Sequence, residues 1–535
     1  MSKANILYID PQQINPEAIN LISGFNRISN FLHSKKNRIN GEVQEEFLKL
    51  DFENLPQFLP EKIEEYRASL QKVLEKIYDR FQYNIVGISC YSLHQYSNTV
   101  EVASLIKHVI DRDCIIVIGG PHTSICPEDF SPGNFPRYLS KVYPPRTSPV
   151  DYLIKEEGEI PFYKLVKNTL NGNIKKRKNL SSIPITLKSE IITDLNEVPI
   201  IDFDLFRKYK KQIKELGRII IDFIRGCPFS CNICVNSTDK IPCYKTIRFK
   251  SVERCLREIS QIINTDWLTI EELMISDPTF FPKRTHRDKF YEGLKDLRKA
   301  QGEFPFRFLV WDRVDTCHLK LDLECFRDFD IEPYIGMESV SPRLLKVMGK
   351  VRGKEKSFKR RAKNYIKKVE DLIIKSNELN ISLVMGLIIG CPGSTHATFQ
   401  ENRDFFLKPR FNGESLVQKY NVNIRFSKFL SYIGEKLYYE GESRYKSKIH
   451  YKKWWKKFDA DQRVLAALVE PSEHYSLKTA LDLNYQFIWN IFKEQIRRNN
   501  KAYSFMRLKS IKNYYDKISQ KKDEIDNMLY NNTLV

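Results

Sequence analysis

Along the first part of the chain, short apolar runs alternate with longer segments of helical period. Asn5–Ile9 is one such run, ended by Asp10-Pro11, and reads as a strand followed by a loop. Between residues 60 and 80 the apolar positions Ile63, Leu70, Val73, Leu74 and Ile77 recur at helical spacing. Asn84–Ser89 is a second run, followed by a helix predicted near 97–111, and Cys114–Gly120 is a third, stopped by glycines. Short buried strands separated by helices imply a parallel sheet covered on both faces, a doubly wound, Rossmann-like α/β domain. In such sheets ligands sit beyond the C-terminal strand ends. That rule gathers Asp10–Gln12, Ser89–Tyr91 and Gly119–His122 around one crevice.

Residues 170–200 are polar and Lys-rich, with Pro184 and Pro199, and read as a linker. The alternation then resumes. Arg218–Ile224 is a strand that runs into a group of cysteines. Ser251 is placed to cap a helix that carries Val252, Leu256, Ile259 and Ile263 on one face and Glu253 in its first turn. Further strands are predicted at Leu273–Ser276, Phe308–Trp311, Tyr334–Glu338, Ser382–Ile389 and Asn421–Phe426, and the clearest helix at 360–379. These strand–helix repeats fit a partial (β/α)6 barrel, whose sites lie at the strand C-termini. From residue 435 the strand pattern gives way to helical periodicity, predicting a C-terminal helical appendage. The expected domains are 1–195, 196–434 and 435–535.

A length of 535 residues exceeds one ordinary core, and 42% hydrophobic residues with 12% aromatics exclude a disordered chain. No apolar run approaches the roughly 18–20 residues needed to span a bilayer, and the first residues, MSKANILYIDPQQ, lack the layout of a secretory signal. A cytoplasmic protein is expected. The net charge of +20 admits nucleic acid, an acidic membrane surface or an anionic substrate. Basic residues are interleaved with acidic ones and no nucleic-acid motif is present, which favours a small-molecule or peptide substrate. In Lys452–Lys457 two tryptophans sit inside a basic cluster; anchoring of a helix by the rings, with the lysines solvated, is favoured over base stacking.

The eleven cysteines are an odd number and most stand alone, which suits a reducing compartment. Cys227, Cys231 and Cys234 break that pattern with the spacing C-x3-C-x2-C on a loop after a strand. Thiolates so spaced can converge on one face of a [4Fe–4S] cubane and leave the fourth iron open. An open iron can chelate the amino and carboxylate groups of S-adenosylmethionine, and one electron then releases a 5′-deoxyadenosyl radical. Two other readings stay open at this point: a structural zinc site with Cys243 as fourth ligand, and three buried thiols without metal.

On these residues the chain resembles the radical S-adenosylmethionine superfamily, and within it the group with an N-terminal cobalamin-binding domain, over residues 1–435. The resemblance implies that Ser276, Asp277 and Thr279 lie near the methionine amino group. It also implies that Glu338 and Ser339 contact ribose and carboxylate, and that the turn Gly390-Cys-Pro392-Gly-Ser394 lies near adenine. Arg313 and Asp315 match a further pair of the family. Ile233, a cofactor-contacting position, stands where an aromatic residue is usual, and Ser394 where glutamate is frequent. In the N-terminal domain, Gly119, Gly120, Pro121 and His122 would line the cobalamin tail, Gly158 and Glu159 the closing turn after Asp151, and Asp10, Gln12, Ser89 and Tyr91 the crevice. The D-x-H-x-x-G signature is absent, so no protein histidine is expected on cobalt, with His94 and His122 as the exceptions to test. The implied activity is a C-methyltransferase acting on an unactivated carbon, supplied by a reductant such as flavodoxin or ferredoxin. The alternatives are a radical cyclase or rearrangement enzyme, and a non-catalytic Fe–S or zinc protein.

Overall fold

The computed structural model describes residues 3–12, 24–34, 39, 41–136, 138–144, 146–174, 177, 179–187, 190–381, 383–450, 452–456 and 469–499. The chain divides into two compact units. The first comprises residues 1–228, 238–307 and 453–463, the second residues 229–237, 308–452 and 464–535.

The first unit opens with a six-stranded sheet of β1 (Lys3–Asp10), β2 (Glu42–Lys49), β3 (Ile85–Ser89), β4 (Ile115–Gly119), β5 (Tyr152–Ile154) and β6 (Ile185–Leu187). Its order is β2-β1-β3-β4-β5-β6 and every pairing is parallel. Ile6, Leu7, Tyr8 and Ile9 of β1, Ile85, Val86 and Ile88 of β3 and Ile116–Ile118 of β4 are all buried, the near-continuous apolar pattern of strands covered on both faces. Helices Gly24–Leu32, Ile63–Phe81, Tyr96–Leu105 and Glu159–Leu170 follow the strands. Strand order reverses between β1 and β3, so the crevice of this doubly wound sheet opens beyond Asp10 and Ser89. Two strands differ from the sequence expectation. β2, of sequence EVQEEFLK, is an edge strand with only its last three residues buried. β6 runs through the stretch read as linker.

The same unit holds β7 (Arg218–Ile221), parallel to β10 (Glu272–Ile275), and between them the antiparallel pair β8 (Ile224–Arg225) and β9 (Arg248–Phe249). Ser251 caps the helix Val252–Ile263, its hydroxyl accepting from Arg254 N at 3.2 Å. The second unit carries β11 (Arg307–Arg313) from Phe308 on, β12 (Ile331–Glu338), β13 (Val384–Ile389) and β14 (Asn423–Lys428), paired in that order and all parallel. The helices Leu321–Asp328, Glu355–Glu378 and His396–Leu407 lie between them. The predicted strand–helix repeats are therefore all present, although Ser382 lies outside the described residues. After residue 435 the helix Leu477–Asn499 fits the helical expectation, whereas β15 (Lys448–Ile449) and β16 (Val469–Glu470) form a short antiparallel pair that it did not include. Within the appendage, Tyr451, Lys457 and residues 458–468 and 500–535 lie outside the described residues. Among the described residues no helix is long and apolar enough to cross a membrane.

Candidate functional site

At the crevice of the first sheet the predicted polar residues are engaged by the protein itself. The Asp10 carboxylate pairs with the fully buried Lys49 at 2.9 Å and accepts from Gln95 Nε2 at 3.0 Å. Lys49 also pairs with Asp51 at 2.6 Å. Gln12 donates its main-chain N–H to Asn98 Oδ1 and accepts from Phe58 N at 2.6 Å. The glycines are different. A Cβ on Gly119 would meet only Ile154, at 3.9 Å, so space is open beside it. Gly120, at φ +108°, passes so close to Cys90 O that a Cβ would stand 2.6 Å from it; only glycine fits. Ser89 lies beside Gly119 in the ladder, and Tyr91 is half exposed at the rim.

Pro121 starts the short helix Pro121–Ile125. His122 behind it is enclosed, stacked on Tyr96 at 4.9 Å, with Nε2 3.2 Å from Asp129 Oδ2. Trp455 Nε1 donates to the same oxygen at 2.6 Å, and Lys456 pairs with Oδ1 at 2.8 Å. Trp455 is thus the buried anchor the sequence suggested, while Lys456 joins an ion pair instead of being solvated. His94 is half-buried on the turn Leu93–Gln95. A Cβ on Gly158 would meet Ile28 Cδ1 at 3.0 Å. Glu159 is buried and ion-paired with Arg225; burial raises its carboxyl, and Arg225 draws it back below the usual carboxylate range.

Beyond β7 and β10 lie the predicted cofactor residues of this unit. Gly226, at φ +83°, brings the chain against Thr246 O, and Cys227 N donates to Tyr244 O at 2.9 Å. Ser276 is used by the sheet, its hydroxyl donating to Ile221 O at 3.0 Å, and Thr279 donates to Pro278 O. Asp277 is buried, with Oδ1 accepting from Phe223 N at 2.8 Å and Ile224 N at 2.9 Å. Its Oδ2 has no hydrogen-bond partner among the described residues. Burial pushes the carboxyl up to about 7, against the pull of those N–H groups and of Lys250. Cys243 is buried, its thiol pushed up to about 12 by burial and then by Glu156 and Glu157.

In the second unit, Cys231 Sγ accepts from Arg313 Nη1 at 3.0 Å. The guanidinium is held on Asp315 by two hydrogen bonds of 2.8 and 3.0 Å and lies 3.9 Å over the Phe229 ring. Cys234 N donates to Cys231 O, and Ser237 Oγ bridges both carbonyls at 2.5 and 2.7 Å. Asn232 is pinned by Met348 O, Val347 O and Leu437 N, with Gly349 packed against it. Ile233 packs against the cluster of Leu344, Met348, Cys391 and Leu437, so an aliphatic side chain fits where an aromatic is usual. Glu338, at φ +62° where β12 shifts register, pairs with Lys350 at 3.1 Å. Ser339 is fully buried and donates to Asn402 Oδ1 at 3.1 Å. Gly390 and Gly393 both adopt positive φ, Pro392 is buried between them, and Ser394 donates to Cys391 O.

Sequence reasoning did not single out Lys350, Asn232, Asn402, Glu157 or Lys49. Each has a partner remote in sequence, Lys49 pairing with Asp10 as well as with nearby Asp51, and none carried a local signal.

No family model matches the chain. Among curated proteins it is 26% identical over 347 residues to an uncharacterized methyltransferase of Pyrococcus horikoshii, covering 63% of this chain and 66% of that protein. It is 22% identical over 298 residues to an uncharacterized methyltransferase of Synechocystis, covering 55% and 46%. It is 25% identical over 194 residues to the ribosomal protein uS12 methylthiotransferase RimO of Pseudothermotoga lettingae, covering 35% and 40%. The chain therefore spans less than two thirds of the length of these relatives. Among solved structures it superposes on the cobalamin-dependent S-adenosylmethionine radical enzyme OxsB with a TM-score of 0.59 at 15% identity, covering 99% of this chain and 73% of that one. It superposes on the radical S-adenosylmethionine methyltransferase TsrM of Kitasatospora setae, with cobalamin and a [4Fe–4S] cluster bound, with a TM-score of 0.56 at 16% identity, covering 81% and 77%. The chain has the fold of the cobalamin-dependent radical S-adenosylmethionine enzymes, as the resemblance of its motifs implied.

Proposed function

We propose that this chain is a cobalamin-dependent radical S-adenosylmethionine enzyme that transfers a methyl group to an unactivated carbon of a small molecule or peptide. A flavodoxin- or ferredoxin-like protein is the proposed reductant. The observation that carries the reading is Arg313 Nη1 on Cys231 Sγ at 3.0 Å. Cys231 is held by a guanidinium that is itself anchored on Asp315, so its sulfur stands at a fixed place on the loop. The donor set also fits. Cys227, Cys231 and Cys234 lie on one short stretch of chain fixed by main-chain hydrogen bonds. Cys243, the fourth ligand a zinc site would need, is instead buried beside two carboxylates, surroundings that oppose thiolate formation.

When bound, the [4Fe–4S] cluster would supply the electron that cleaves S-adenosylmethionine to a 5′-deoxyadenosyl radical, and cobalamin would carry the methyl group. Asp277 offers a buried oxygen without a partner among the described residues, suited to the methionine ammonium group. Glu338 and Ser339 are assigned to the ribose and carboxylate, and the glycines of 390–393 to close main-chain approach at adenine. Gly119 and Gly120 would let the backbone lie against a flat ligand. The methyltransferase names of the relatives from Pyrococcus and Synechocystis, and of TsrM, support methyl transfer.

The full chain, reconstituted anaerobically and reduced with S-adenosylmethionine present, is expected to show a [4Fe–4S] signal and to release 5′-deoxyadenosine. Cys231→Ala is expected to lose both. S-adenosylhomocysteine formed alongside 5′-deoxyadenosine marks methyl transfer. Undiminished 5′-deoxyadenosine in the variant, or zinc held by four protein ligands including Cys243, refutes the reading.

A further inference from the structure

Two arginines face each other at the base of the cysteine loop. In the β8–β9 pair Arg225 stands opposite Arg248, so residues 226–247 leave and return through a two-residue stem with like charges across it. Like charges directly opposite on paired strands push them apart. Here both side chains are largely buried, at 14% and 6% exposure, so water does little to screen them.

One carboxylate resolves the conflict. Glu157 Oε1 lies 2.6 Å from Arg248 Nη2, and its Oε2 lies 3.2 Å from Arg225 Nη1. Glu157 Oε2 also accepts from Ile192 N at 3.1 Å, while Arg248 Nη1 donates to Ile192 O at 2.6 Å. Arg225 completes its set with Glu159 on Nη2 and Asp222 3.5 Å from Nε. All three nitrogens of the guanidinium two residues ahead of Cys227 therefore face carboxylates. Exposed pairs of this kind are worth little, but removing one partner of a buried set leaves an uncompensated charge.

We infer that Glu157, acting through Arg225 and Arg248, is a positioning residue that closes the stem of the cysteine loop and fixes where Cys227 stands. Its consequence for cluster retention rests on the function proposed above. Its consequence for Cys227 itself does not. The side chain comes from the turn between β5 and the helix Glu159–Leu170, the same turn that bears Gly158 at the crevice.

The test compares wild type, Glu157→Gln and Glu157→Gln/Arg248→Gln as full chains. In the metal-free proteins, alkylation of Cys227 by iodoacetamide is followed by mass spectrometry, with buried Cys255 as internal control. Glu157→Gln is expected to speed alkylation of Cys227 severalfold and leave Cys255 unchanged. In reconstituted proteins under a chelator, Glu157→Gln is expected to lose iron roughly 10–100-fold faster than wild type, the range for residues that orient metal ligands. Adding Arg248→Gln removes one of the opposed charges and is expected to recover most of both properties. Unchanged Cys227 reactivity in Glu157→Gln overturns the inference, as does a double variant more reactive at Cys227 than the single one. Equal acceleration at Cys255, the mark of general unfolding, also counts against it unless Glu157→Asp, which keeps the charge, restores the wild-type rate at both cysteines. Wild type that takes up no iron refutes the cluster, and the alkylation rates still decide the stem.

Discussion

Two buried aspartates of the first unit, Asp129 and Asp277, are each 1% exposed, yet their surroundings differ sharply. Asp129 is surrounded. His122, Trp455 Nε1 and Lys456 all approach its oxygens; burial alone would raise its carboxyl, but His122 and then Lys456 draw it below the usual range. Asp277 is half served. Two main-chain N–H groups hold Oδ1, Oδ2 has no hydrogen-bond partner among the described residues, and burial pushes the carboxyl up to about 7. A buried polar atom without a partner is costly and calls for a reason. The contrast separates an acid whose two oxygens are both engaged by side chains of the fold from one with an oxygen left without a hydrogen-bond partner among the described residues, the oxygen proposed above for the methionine ammonium group.

If that contrast is sound, removing the charge of Asp129 costs most. Asp129→Asn leaves Lys456 and the His122 ring facing a neutral amide in a buried site. By analogy with broken buried pairs it is expected to destabilise the chain by about 3–5 kcal/mol. Thermal or urea unfolding of the metal-free protein measures it. A loss below 1 kcal/mol would make Asp129 dispensable and the contrast empty.

Asp277→Asn should act in the opposite direction, and only at higher pH. The folded carboxyl titrates near 7, above its ordinary value of 3.8, so its burial is tolerated below about pH 4 and penalised progressively as pH rises through 7. The penalty for the ligand-free protein is at most about 4 kcal/mol at pH 8, on the order of one and a third kcal/mol per pKa step. Asparagine carries no such penalty. The stability difference in favour of Asp277→Asn is expected to grow between pH 4 and 7 and level off above, in a series of unfolding curves, while S-adenosylmethionine affinity falls. A flat difference across that range would place Asp277 with the structural acids.

The sequence disclosed the elements whose signal is local. The apolar runs of β1, β3 and β4 and of the six later strands, the Ser251 cap, and the spacing of Cys227, Cys231 and Cys234 are all visible within a few residues. β2 escaped because an edge strand of sequence EVQEEFLK buries only its end, and β6 because three residues in a polar stretch carry no period. The long-range polar partners escaped for a different reason. Trp455 meets Asp129 across 326 positions and Arg248 meets Glu157 across 91, and no local pattern records such a pairing. The resemblance named turns such as Gly158–Glu159 and 276–279, but not which of their acids the protein would keep for itself.

The smallest expected effect tests the finished side of the contrast most finely. Trp455→Phe keeps an aromatic ring against His122, at a centroid distance now 6.0 Å, and removes only the N–H that meets Asp129 at 2.6 Å. Hydrogen bonds to a charged acceptor contribute about 1.5–3 kcal/mol, so a loss near 2 kcal/mol is expected, well short of that for Asp129→Asn. Because the two substitutions share one carboxylate, they should not add: the double variant is expected to be little less stable than Asp129→Asn alone. Full additivity would mean that Trp455 stabilises the chain through packing and not through Asp129, and that the buried acid depends on His122 and Lys456 alone.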